Sequence, residues 1–200
     1  CKDMNWEGAG FSPTFSGDYN NNLRIHGSLT FINQMNVVYE GETFFEATEL
    51  GQTISSANQI FIHNVWFNGR GGSWYLLDNF TSQNEIFFQQ GEIYTLANDI
   101  SCDCFSSIDT TKRTLNLSTS KISLFGNGKI VWGISGQNLS LFADSSLIIS
   151  FSSMGEIYNY KENTLIYNDI EFHGTGSELH NVAFCKYNLV SFFNNSGSIV

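Results

Sequence analysis

The sequence predicts an all-β chain wound as a parallel β-helix, a solenoid, and three observations lead there. Apolar and polar residues alternate at period two in short runs bounded by Gly, Asn, Asp and Ser, while helical periodicity is almost absent. Short segments recur, one pair at a spacing suited to a solenoid rung. The 200 residues contain a single proline, and Asn, Ser and Thr crowd the gaps between runs. Asn and Ser suit tight corners because their side chains bond nearby backbone and tolerate left-handed conformations.

The alternating runs are residues 23–31, 64–67, 86–94, 113–124, 139–151 and 169–172. Many are rich in Ile, Val, Phe and Thr, which fit a pleated, half-buried surface. Two repeats stand out. Asn64-Val65-Trp66-Phe67-Asn68-Gly69-Arg70-Gly71 reappears as Asp169-Ile170-Glu171-Phe172-His173-Gly174-Thr175-Gly176. Arg113-Thr114-Leu115-Asn116-Leu117 is matched by Gln137-Asn138-Leu139-Ser140-Leu141, which predicts Leu115 stacked on Leu139 and Leu117 on Leu141 at about 4.8 Å. The first alignment sends Trp66 outward, opposite Glu171, and Trp74 into the core, opposite Leu179. A β-sandwich is the alternative fold. It calls for hairpins, yet Asn-Gly and Asp-Gly turns between matched strands are scarce.

The chain suffices for one core, so residues 1–200 read as a single solenoid segment. With 42% hydrophobic residues and only 14% charged, disorder is excluded. A surface supplied by uncharged polar residues is typical of extracellular β proteins. The net charge is −10, and the nine Lys and Arg are scattered singly. No basic cluster can neutralise phosphates, which excludes nucleic acid and disfavours an anionic membrane surface. No apolar run reaches transmembrane length. Cys1 reads either as the lipidated residue of a processed lipoprotein or as the start of an excerpt from a longer polypeptide.

Chemistry-bearing constellations are sparse. Cys102 and Cys104 fall on one face of a predicted strand beside Ile100, without the paired Cys or His clusters a zinc site needs, and read as small core residues. Glu40, Glu42, Glu46 and Glu49 cluster, and Asp169 and Glu171 share a strand face. Polysaccharide-cleaving enzymes use convergent carboxylates, lyases adding a basic residue; here the basic candidates look isolated, and the acids read as solvated. His173 aligns with Asn68 and reads as a corner residue. Gly69-Arg70-Gly71-Gly72 lacks the Gly-Lys-Ser/Thr of a phosphate loop, and no Gly-x-Ser-x-Gly elbow exists. No catalytic, metal or cofactor residues are assigned. Trp66 and Tyr75 are the glycan-contact candidates, since an exposed ring can stack on sugar; the competing reading is packing against a neighbouring rung.

Several stretches resemble a recurrent block of large Bacteroidetes surface proteins. They are Cys1-x-Asp3-x-Asn5-Trp6-x-Gly8-Ala9, Ser12-Pro13-Thr14-Phe15-Ser16-Gly17, Leu23-Arg24-Ile25-His26-Gly27-Ser28-Leu29-Thr30-Phe31 and Phe45-x-Ala47-Thr48-x-x-Gly51-Gln52-Thr53-Ile54. Val65-x-Phe67-Asn68-Gly69-x-Gly71-Gly72-Ser73-Trp74 and Arg113-Thr114-Leu115-Asn116-Leu117 continue the likeness over most of residues 1–185. Similar β-helical repeats occur in proteins exported by the type IX secretion system, including gliding adhesins. The resemblance implies a right-handed β-helix in a secreted or cell-surface protein, with no catalytic residues to carry over. The expected function is a structural or adhesive module whose partners are surface glycans or other cell-surface proteins. A polysaccharide lyase or glycoside hydrolase on the same fold is the alternative, because sites are grafted on folds.

Overall fold

The computed structural model describes residues 1–160, 164–181, 185–194 and 197–200. The described residues contain no helix. Their sheets are parallel and stack as a β-solenoid of about eight turns, the right-handed parallel β-helix that the sequence predicts. None of it is a helix long and apolar enough to cross a membrane.

Each full turn has three sides. A 14-stranded sheet supplies two of them, because the strands Val65–Leu76 and Glu85–Tyr94 run around a corner. Residues 65–67 pair with 43–45 on the first face, and residues 74–76 pair with 52–54 on the second. A seven-stranded sheet, from Ile60–Phe61 to Lys186–Phe192, closes the third face. A two-stranded sheet pairs Thr14–Gly17 with Asn36–Tyr39.

Inward positions of successive rungs meet like on like, which is how alternation becomes a core. Ile100, Ile122, Ile148 and Ile170 stack in register on the third face. On the first face, Val65, Ile86, Phe105, Trp132 and Ile157 form one column. Aromatic rings suit this spacing, since offset stacking is favourable near the rung repeat. Phe45 and Phe67 stack at 5.0 Å, and Phe105 and Trp132 at 4.9 Å. Trp74 is fully buried, as its predicted inward position requires.

The rung length is not constant, and this corrects both sequence alignments. Register partners Phe80 and Ile100 are 20 residues apart, whereas Ile122 and Ile148 are 26 apart. The Asn64 and Asp169 segments therefore fall on different faces: Val65 belongs to the 14-stranded sheet and Ile170 to the seven-stranded one. Their likeness reflects a shared strand-then-glycine-corner pattern. The leucine pairs do share a face, but Leu115 stacks on Leu141, two residues from the predicted register, and Arg113 lies over Leu139. A two-residue slip preserves which side chains point inward, so the hydrophobic pattern alone could not exclude it. Corner chemistry is also broader than expected. Asn58, Ser118 and Asn138 take positive φ, but so do Ala57, Leu96, Ala97 and Met154.

Cys102 and Cys104 are both buried, yet the chain turns at Asp103, so Cys102 ends a third-face strand while Cys104 begins a first-face strand. Both thiols are free. Burial pushes Cys102 well above its ordinary pKa and Cys104 up to about 11, the latter opposed by Lys129. In a thiol-labelling experiment near pH 8, the exposed Cys1 is expected to react first, and Cys102 and Cys104 only after unfolding. Because the folded pKa values are raised, this contribution to stability is complete below the ordinary thiol pKa. It is lost as pH rises through about 11, so the denaturation midpoint should fall across that window. Native-state labelling of Cys102 at the rate of Cys1 would contradict this account.

Candidate functional site

The outer side of the first face carries an aromatic ladder. Arg24, Phe44, Trp66 and Phe87 are register partners on four successive rungs. The Arg24 guanidinium lies 4.3 Å from the Phe44 ring centre, Phe44 and Trp66 stack at 5.7 Å, and Trp66 and Phe87 at 4.0 Å. Arg24 also pairs with Glu46. Trp66 points outward as predicted, but a phenylalanine covers each of its ring faces, so only its edge is left for a ligand. Tyr75 stacks on Tyr94 at 4.8 Å on the second face. For both predicted contact residues, packing against a neighbouring rung is the observed state.

The ladder stops at Phe87. The next rung places Ser106 beneath it, and the rung after that places Gly133. Ile130, Tyr160 and Ile108 close over Gly133, but Ser106 is too small to fill its position. A depression of about 380 Å³ remains, lined by Phe87, Gln89, Ser106, Ile108 and Asp109, with Trp66 at its side. The half-buried Phe87 ring, stacked on Trp66 on one side, lines this depression.

Residues 108–112 form the far wall. In the two preceding turns the chain passes from first to second face within a continuous strand, at 65–76 and 85–94; here it opens into a loop before Arg113–Asn116. The loop is pinned on both sides. The Asp109 carboxylate accepts from the Thr111 amide at 2.8 Å, the Thr111 hydroxyl donates to the Gln89 carbonyl one rung back, and Asn138 donates to the Thr110 carbonyl from one rung ahead at 2.8 Å.

Arg113 anchors its base. It is fully buried in a column otherwise suited to an apolar side chain, opposite Gly91 and Leu139. Its guanidinium donates to the carbonyls of Ser107 (2.5 Å), Thr111 (3.1 Å), Ser135 (3.0 Å) and Gln137 (2.7 Å), and to the Ser107 hydroxyl (2.6 Å). The planar fork of five donors suits such a ring of carbonyls, where a lysine would reach fewer. Burial lowers the guanidinium pKa, with Asp109 acting against it. Gly91, opposite Arg113, must be glycine for the sake of the preceding rung: its φ is +95°, and a β-carbon there would sit 2.7 Å from the Gly69 carbonyl oxygen and 2.9 Å from that of Gly72.

On the other side of the loop, at the corner between first and second faces, lies a groove of about 710 Å³. Arg70, Gln90, Glu92, Lys112, Thr114 and Asn138 are among its walls. The Glu92 carboxylate accepts the Tyr94 hydroxyl at 2.8 Å. In sequence these residues looked isolated; the fold gathers them. Glu92 and Thr114 are register partners 22 residues apart, but one rung back Glu92 lies beside Ser73 across a register shift, so spacing alone did not point to Arg70.

Two further clusters escaped the sequence reading. Phe125, Phe151, His173 and Phe193 stack along the corner after the third face at 5.0, 5.2 and 4.4 Å, a second ladder that shows ring edges to solvent. His173 is a corner residue, as expected, with Nε2 2.8 Å from Glu171. Glu156 and Glu178 are register partners, and His180 lies 3.6 and 3.0 Å from their carboxylates with Tyr158 stacked on its ring at 5.0 Å. Their ligand atoms lie within 4.8 Å of one another, so they are the described group best placed to hold a metal ion. The imidazole also suffices to bridge two like charges that directly opposed positions would otherwise set against each other. Of the acids noted in sequence, Glu46 pairs with Arg24, Glu42 accepts from Asn64 at 2.9 Å, and Asp169 accepts from Asn188 at 2.8 Å.

Comparison with protein-family models, with curated proteins and with solved structures finds no match.

Proposed function

We propose that this chain is a non-enzymatic structural or adhesive β-helix module of a secreted or cell-surface protein, and that it contacts surface glycans where the first-face ladder ends. The observation that carries the reading is that the aromatic ladder ends at Phe87 in a depression above Ser106, beside the polar Gln89 and Asp109. A pyranose has an apolar face and a polar rim, and this arrangement offers a ring to one and hydrogen-bonding groups to the other. The acidic, weakly charged composition and the resemblance to type IX-exported repeats support an exported setting. One stacking contact contributes only about 1 kcal/mol by analogy with aromatic pairs, so useful adhesion would come from repeated modules in a long chain.

The test is a glycan array comparing the parent chain with Phe87→Ala and Trp66→Phe. Phe87→Ala should weaken binding about fivefold, the equivalent of about 1 kcal/mol. Trp66→Phe should leave most of it, because Trp66 supports Phe87 from the covered side. Binding unchanged by Phe87→Ala would remove the depression as the contact site.

The alternative is a carbohydrate-active enzyme, and one observation favours it: Arg70, Glu92 and Lys112 share a groove. Elimination from a polyuronate would release an unsaturated sugar, and hydrolysis would release a new reducing end, so either product overturns the non-enzymatic reading.

A further inference from the structure

We infer that the corner groove holding Arg70 and Lys112 binds the acidic groups, carboxylate or sulfate, of the same glycan chain that stacks on Phe87. This rests on the glycan-contact reading and adds the class of glycan. The cations carry the argument. Arg24, Lys121 and Lys129 are spent on Glu46, Asp99 and Glu85, and Arg113 is committed to backbone carbonyls. Arg70 and Lys112, like Lys2 and Lys186, have no ion-pair partner among the described residues, but these two line one 710 Å³ groove in a protein of net charge −10. In this concave site the two cations outnumber the single carboxylate, Glu92, and a concave wall concentrates the potential that an isolated surface cation loses to solvent. Around the cations stand neutral hydrogen-bonding groups, Gln90, Thr114 and Asn138, matched to sugar hydroxyls. Glu92, held by Tyr94, keeps acidic groups toward the Arg70 and Lys112 side.

Continuity with the Phe87 depression supplies the second half. Phe87, Gln89, Gln90 and Glu92 lie on one strand, which carries the first two into the depression and the last two into the groove. The loop 108–112 does the same with Asp109 and Lys112. Phe87 and Glu92 are five residues apart on a strand that turns a corner, so they lie within about 16 Å, the reach of a short oligosaccharide. A ligand that stacks on Phe87 can therefore set a charged substituent against Arg70 and Lys112 on the far side of the loop.

The experiment is titration of the whole chain with three oligosaccharides of equal length: an oligouronate, a sulfated oligomer and a neutral one. The parent chain, Phe87→Ala and the double variant Arg70→Gln/Lys112→Gln are compared. Both groove positions are exposed, and Arg70→Lys/Lys112→Arg keeps the charge as a control for folding. The acidic oligomers should bind the parent chain about tenfold or more tightly than the neutral one, and the double variant should erase that advantage. Preference for uronate over sulfate, or the reverse, assigns the acidic group and supports the inference either way. Equal binding of acidic and neutral oligomers, or an unchanged preference in the double variant, overturns it while the Phe87 contact stands. Absence of binding by all three overturns both.

Discussion

Arg113→Ala is expected to cost about 3 kcal/mol or more, because hydrogen bonds to a charged group are worth about 1.5–3 kcal/mol each and their removal strands buried carbonyls. Arg113→Lys should recover only part of the loss, since an ammonium cannot reach the carbonyls of Ser107, Thr111, Ser135 and Gln137 together. The damage should be local. Each rung of a solenoid contacts only its neighbours, so amide hydrogen exchange should quicken near residues 107–114 and 135–139 and stay unchanged near Phe45 and Phe67. Uniform acceleration along the chain would show that the molecule unfolds as one cooperative body and that Arg113 has no special hold on the loop.

Trp132→Ala is expected to cost about 3–5 kcal/mol, the usual penalty for deleting a large buried aromatic. The side chain is fully buried, stacks on Phe105 and meets Tyr167 edge-on at 6.5 Å. It also begins a buried polar chain that ties three rungs together. The Trp132 indole donates to the Tyr167 hydroxyl (3.3 Å), which donates to Asn159 (2.6 Å), whose amide donates to the Tyr187 hydroxyl (3.0 Å). Trp132→Phe keeps the stacking and loses one hydrogen bond, so about 1 kcal/mol is expected from that change. Urea denaturation of the two variants separates these terms. Equal losses would mean that the hydrogen bond, and not the ring, holds the site.

What could be read in advance follows from what alternation encodes. Period two states which side chains face inward, and that was enough to place Cys102 and Cys104 in the core. Trp74 inside and Trp66 outside came from the repeat alignment, because the inward parity shifts between Phe67 and Trp74. Alternation does not state where the chain turns. A corner at Asp103 leaves the inward pattern of Ile100, Cys102 and Cys104 intact while moving Cys104 to another sheet. Nor does it fix register between rungs of unequal length, so Leu115 met Leu141 instead of Leu139. The buried Arg113 was illegible for a different reason. A charged residue at an inward position conflicts with the pattern, and only the surrounding carbonyls resolve the conflict. At Trp66 the outward position did not reveal that Phe44 and Phe87 stack on the ring, because exposure of a side chain is not exposure of its ring face. In a solenoid, the neighbouring rungs at about 4.8 Å decide whether a face is free. The deciding feature was the small residue one rung on from Phe87.

The measurement that tests the account most directly is native mass spectrometry of the chain incubated with a short acidic oligosaccharide. A complex that carries the sugar at its unchanged mass, and that weakens for Phe87→Ala, is the predicted result. Sugar fragments accumulating with time, or no complex at concentrations where the module would act in many copies, would contradict it.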